Sequence, residues 1–161
     1  MITRLVGLIW VLTLALSLGA CATAARDVDP ATDSWAGRLS VRVENDPVQS
    51  FSAGFDLQGS SHSGRLTLFS PLGGTVAQLT WSPGQALLQS GGKDQSFDSL
   101  SALTRQAMGA ELPIDGVFSW LAGKSASADG WTVELQDRAG GRLVARRTSP
   151  APGVELRLIL D

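Results

Sequence analysis

The sequence predicts a mainly β fold with two short helices: an antiparallel sheet that curves into an unclosed barrel, its open end plugged by the helices. Three observations carry this reading. Apolar and polar residues alternate with a period of two from Trp35 onward. Turn-forming clusters of Gly, Pro, Asn and Ser interrupt that alternation at short intervals. A helical period occurs only between Leu100 and Leu121. Antiparallel strands with one apolar face must close on themselves, pack against a second sheet, or be covered. Two short helices are too few to cover about nine strands lying flat, so the sheet is expected to curl and turn its apolar stripes inward. If the helices fill that interior only partly, an apolar cavity suited to acyl chains remains.

The chain opens on a segment of another kind. Arg4 precedes the apolar run Leu5 to Leu16, which ends in the small residues Ser17-Leu18-Gly19-Ala20. Residues 1–20 therefore read as a secretory signal peptide, too short for a membrane span of roughly 20 apolar residues. Leu18-Gly19-Ala20-Cys21 resembles the bacterial lipobox, which makes Cys21 the lipidated first residue of the mature chain. That resemblance implies an acylated anchor, and Ala22, where enteric bacteria use aspartate for inner-membrane retention, favours the outer membrane. Residues 21–34 are small, polar and Pro-containing, a short tether. One domain is expected over residues 35–161.

Within that domain, Leu39, Val41 and Val43 share a face, with Arg38, Ser40 and Arg42 on the other. Asn45-Asp46-Pro47 breaks the strand, and Phe51, Ala53, Phe55 and Leu57 form the apolar face of the next. A Ser/Gly turn around His62 leads to Leu66 and Leu68, and Ser70-Pro71-Leu72-Gly73-Gly74 leads to Ala77, Leu79 and Trp81. Ser82-Pro83-Gly84 turns into Ala86-Leu87-Leu88, and Gly91-Gly92 into a weaker strand around Asp94 to Phe97. Asp98 or Ser99 then caps a helix carrying Leu100, Leu103, Ala107 and Met108, which Gly109 ends. A second helix follows Pro113 with Ile114, Val117, Phe118 and Leu121 on one stripe, stopped by Gly123. Trp131, Val133 and Leu135 alternate with polar residues, Arg142 to Thr148 forms a further strand, and Val154, Leu156, Leu158 and Leu160 face inward on the last.

Composition excludes several function classes. Of 161 residues 13 are basic and 15 acidic, giving a net charge of −2, so the cationic field that holds a nucleic-acid backbone is missing. One cysteine and one histidine leave no disulfide framework, no Cys/His zinc site and no base for a hydrolase triad. His62 reads as a surface histidine in a turn. Gly91-Gly92-Lys93-Asp94 lacks the spaced glycines and the Ser or Thr of a phosphate loop. No enzyme, metal or cofactor is expected.

The ordered set of Cys21, Trp35-Ala36-Gly37-Arg38-Leu39-Ser40-Val41, Phe51 to Gln58, and Leu66 to Thr75 with its Ser-Pro-Leu-Gly turn resembles the LolB family of outer-membrane lipoprotein receptors. Trp81-Ser82-Pro83-Gly84, Leu112-Pro113 and Phe118-Ser119-Trp120-Leu121-Ala122-Gly123 continue the resemblance. It implies an unclosed antiparallel barrel with a helical lid over an apolar cavity. It also implies a monomer anchored in the outer membrane of a Gram-negative bacterium and facing the periplasm. Such a receptor takes lipoproteins by their acyl chains from a LolA-like periplasmic carrier and inserts them into outer-membrane lipid. Family members usually carry a longer helical stretch before the first strand and one more strand or hairpin after the Trp-Leu-x-Gly helix. Here Gly130-Trp131 follows Gly123 almost at once.

Under this reading the acyl-binding cavity is expected to be lined by Leu39, Val41, Phe51, Phe55, Leu66, Leu68, Leu79 and Trp81 on the strands. Val117, Phe118 and Leu121 on the second helix and Trp131 and Val133 beyond it complete the set; plain core is the competing reading for each. Pro71, Leu72 and Gly73 form the expected membrane-insertion loop, because a leucine at a Pro/Gly tip lacks strand neighbours to bury it. The alternative has Leu72 folded back onto the barrel rim. Arg138, Arg142, Arg146 and Arg147 are the one local cationic cluster, either a solvated face or a dock for an acidic carrier or lipid headgroups. A structural or assembly lipoprotein with a packed barrel and a protein-binding rim is the alternative function.

Overall fold

In the computed structural model, which describes residues 33–161, a single antiparallel sheet runs the length of the domain. Its strands are β1 (Ser34–Val43), β2 (Gln49–Gly59), β3 (Gly64–Phe69), β4 (Thr75–Ser82), β5 (Gln85–Ser90), β6 (Lys93–Phe97), β7 (Trp131–Glu134), β8 (Arg142–Arg147) and β9 (Val154–Leu160). Between β6 and β7 lie α1 (Leu100–Met108) and α2 (Ile114–Leu121). The spatial order is β6-β5-β4-β3-β2-β1-β9-β8-β7. Sequential hairpins explain all of it except one step, the pairing of the first strand with the last, Val41 opposite Leu156 and Val43 opposite Val154. That step leaves β6 and β7 as the two free edges among the described residues. The helical segment is the chain that connects them, so the sheet stays open where the helices cross.

Burial follows the alternation closely. Leu39, Val41, Val43, Phe55, Leu57, Leu66, Leu68, Leu79 and Trp81 are buried on one half of the sheet, and Leu143, Ala145, Val154, Leu156 and Leu158 on the other. Gly37 makes the central pairing possible. A Cβ at this residue, whose φ is +150°, would lie 2.0 Å from the Ile159 carbonyl oxygen, a distance no side chain tolerates. Gly64 plays the matching role opposite Trp81, whose indole covers it and whose Nε1 donates to the Ser60 carbonyl at 3.0 Å.

Local chemistry sets the helix ends. Ser99, rather than Asp98, caps α1: its hydroxyl accepts from the Ala102 N–H at 3.1 Å. Gly109 closes α1 in the left-handed conformation, its N–H donating to the Arg105 carbonyl. Leu103 and Met108 bury against the sheet and so does Thr104. The Thr104 hydroxyl donates to the Ser101 carbonyl and accepts the Leu112 N–H at 3.1 Å, stitching α1 to the segment that leads into α2. Strand β7 is shorter than the expected alternation: it ends at Glu134, and the chain turns through a 3-10 segment, Arg138–Gly140, into β8.

Candidate functional site

The concave side of the sheet and the two helices enclose an apolar space whose walls come from both. Its sheet wall includes Leu39, Phe55, Leu66, Leu79 and Trp81, and its helical wall Val117, Phe118 and Leu121. These eight expected cavity residues converge. Val41 and Leu68 are fully buried elsewhere in the core, Phe51 is half-buried on β2, and Trp131 and Val133 lie on β7 away from this space. Leu156 and Leu158 of β9 also line it; their alternation was legible in the sequence, but the adjacency of β9 to β1 was not. Thr104 and Leu112 line it too, and no periodicity marks either as a wall residue.

The free volume is small. It measures about 40 Å³, more than a single water requires but far below the roughly 300–1,000 Å³ of a small-molecule pocket. In this state the helices themselves occupy the interior. Phe118 sits edge-on to Trp35, with ring centroids 5.5 Å apart, and edge-on to Trp81 at 6.2 Å. Trp120 is wholly buried, donates from Nε1 to the Ala126 carbonyl at 2.9 Å, and meets Trp131 at 6.1 Å. Arg138 Nε donates to the Leu121 carbonyl at 2.8 Å, holding the C-terminal end of α2, where a cation complements the helix dipole. Anything much larger than a water molecule fits this interior only if one of its walls moves.

The turn between β3 and β4 presents the opposite situation. Leu72 is 98% exposed. The Ser70 N–H donates to the Gly74 carbonyl at 2.8 Å and the Gly73 N–H to the Ser70 carbonyl at 2.9 Å. With Pro71 preset for the turn and Gly73 at φ +83°, the leucine is held out by a tight, hydrogen-bonded hairpin. Of the two readings of this loop, the protruding one is the geometry found.

The local arginine cluster does not stay together. Arg138 turns to α2, and Arg147 lies over the Trp131 ring at 5.8 Å on the inner side. Arg142 and Arg146 point to the outer face, where Arg146 Nε donates to Glu155 at 2.7 Å and also pairs with Glu134. Arg157 Nε donates to the other Glu155 oxygen at 2.6 Å. The Arg157 guanidinium first, and Arg146 after it, hold the Glu155 carboxyl below its ordinary value, against the opposing effect of partial burial. Among the described residues no group of three or more metal-ligating side chains converges, and no helix is long and apolar enough to cross a membrane. Cys21, the expected lipidation site, lies outside the described residues.

A family model described as outer membrane lipoprotein LolB matches residues 34–147. The chain is 34% identical over 140 residues to the outer-membrane lipoprotein LolB of Chromobacterium violaceum, an alignment covering 82% of this chain and 74% of that one. It is 32% identical over 179 residues to the protein of that name from Thiobacillus denitrificans, covering 92% of each. The Bordetella petrii protein of the same name is 29% identical over 150 residues, covering 78% of this chain and 75% of its own.

Proposed function

The chain belongs to the LolB family of outer-membrane lipoproteins, and from that premise we propose how its parts divide the work of a lipoprotein receptor. Its function is lipoprotein localisation at the outer membrane of a Gram-negative cell, and it is not an enzyme. Cys21 carries the lipid anchor. A LolA-like periplasmic carrier presents a lipoprotein, α2 swings outward, and acyl chains enter between the helices and the concave sheet. A chain of roughly 16 carbons in water costs on the order of 12 kcal/mol, so it has to pass from one apolar enclosure to another. Transfer then runs downhill into the bilayer with no chemical step and no cofactor. The protein acts as a monomer.

The observation that carries this division is the fully exposed Leu72 on its rigid turn. Burying one leucine in lipid contributes roughly 1.5–3 kcal/mol, enough to set how often the loaded receptor engages the membrane. The test is Leu72→Glu in a two-stage assay that scores first the lipoprotein taken from the carrier and then the lipoprotein recovered in floated vesicles. Normal acceptance with poor delivery is expected, since the interior is untouched. Equal loss in both stages would place Leu72 in the folding or loading of the receptor, and undiminished delivery would remove the loop from the mechanism.

A further inference from the structure

The outer face of the sheet concentrates positive charge that no local stretch of sequence contains. Strand pairing sets Arg38 and Arg142 on either side of Ile159, Ser40 and Val144 on either side of Arg157, and Arg42 and Arg146 on either side of Glu155. Five of the 13 basic residues of a net-acidic chain thus meet on three adjacent strands. The carboxylates of this face are Glu155, Glu134 from β7 and, at the Ala36 end of the groove, Asp56 and the C-terminal Asp161. Arg146 engages Glu134 and Glu155, Arg157 engages Glu155, and among the described residues no carboxylate pairs with Arg38, Arg42 or Arg142. All three are exposed.

This face runs directly into the Leu72 turn. A groove of about 720 Å³ is bounded by Arg38 and Arg157 on one side and by Ser70, Pro71 and Gly73 of the turn on the other. Its floor is Ser40, Ser52 and Gly54, small enough for a polar group to reach the backbone, and Asp161 closes one end. Two exposed apolar side chains flank the cations, Leu72 at 98% and Ile159 at 52% exposure. Cations interleaved with protruding apolar residues match a lipid surface, which offers phosphates at one depth and hydrocarbon just below.

We propose that the outer face of β1, β9 and β8, with Arg38, Arg42 and Arg142 as its free cations, docks on anionic phospholipid headgroups and orients the receptor so that the Leu72 turn meets the bilayer. This rests on the reading of that turn as the membrane-contacting element, and it adds a second contact of different chemistry. The exposed apolar side chains of Ile159 and Leu72 beside the cations, and continuity with the turn, favour lipid phosphates over an acidic protein partner.

The experiment uses the full chain carrying Cys21→Ser, so that no acyl anchor masks the surface. Flotation is measured with vesicles of phosphatidylcholine alone and of phosphatidylcholine mixed with phosphatidylglycerol. Replacing Arg38, Arg42 and Arg142 by Gln is expected to weaken binding to the anionic vesicles roughly fivefold per arginine, on the order of a hundredfold for all three. Binding to neutral vesicles should stay the same, the anionic preference should fade with added salt, and the three Lys replacements should restore it. Equal binding of the triple Gln variant and its parent to anionic vesicles would overturn the proposal. So would a variant that binds vesicles normally but no longer accepts lipoprotein from the carrier, because the face would then belong to a protein. Leu72→Glu separates the two readings: it should weaken binding to both kinds of vesicle, and if it weakens neither while the arginine effect persists, the turn fails and the headgroup face stands.

Discussion

Phe118 on α2 and Trp35 on β1 meet edge-on, their ring centroids 5.5 Å apart and their planes at 75°. The contact ties the helix to β1, an interior strand of the sheet, and Trp81 holds the same phenylalanine from β4. Aromatic pairs in this geometry contribute about 0.5–1.5 kcal/mol each beyond burial. The helix is therefore held over the concave face by apolar ring contacts.

Phe118→Leu removes both ring contacts and keeps an apolar side chain. It is expected to cost about 1–3 kcal/mol of stability and to enlarge the apolar space beyond its present 40 Å³ or so. Urea unfolding reads the first effect and uptake of an apolar fluorescent probe the second. Lower stability without greater probe uptake would mean that α2 closes down on the vacated space.

Thr104→Val leaves the buried Leu112 N–H without its acceptor, which costs about 1–3 kcal/mol. Thr104→Ser keeps the hydroxyl and should cost less. The ordering of unfolding midpoints, wild type above Ser above Val, checks that the hydroxyl and not the volume matters.

Acidification should weaken the outer-face network in a defined direction. The Glu155 carboxyl has a lower pKa in the folded chain than its ordinary 4.5, so its stabilising contribution is complete above that value and is lost as pH falls through the folded value. With Arg146 and Arg157 side chains 42% and 58% exposed, solvent screening keeps that contribution below about 1 kcal/mol. Glu155→Gln should be slightly less stable than wild type at neutral pH, and the difference should shrink below about pH 4.5. Thermal unfolding across an acid series measures it.

Cys21→Ser should release the protein from the membrane fraction into the periplasmic one. Several acyl chains at ~0.8 kcal/mol per methylene hold a protein firmly, whereas Leu72 and a charged face alone give only reversible binding. Fractionation with mass spectrometry of the mature N-terminus checks both the modification and its effect.

The sequence by itself determined the features whose causes are local. Alternation along Leu39-Ser40-Val41-Arg42-Val43 assigns each side chain to a face, Ser99 and Gly109 cap α1 through their own backbone neighbours, and Pro71 and Gly73 hold Leu72 at a tip. Only the tertiary structure decided what depends on residues far apart along the chain. Alternation says which face a residue occupies but not which strand lies beside it, so the pairing of β1 with β9 had to be found in space. That pairing brings Arg38 and Arg42 beside Arg142, Arg146 and Arg157, while Arg138 turns to the Leu121 carbonyl and Arg147 to the Trp131 ring. The interior volume belongs to the same class. It is the small difference between the space a curved sheet encloses and the bulk of Phe118, Leu121 and Met108 within it, and such a difference is set by packing, which no period in the sequence encodes.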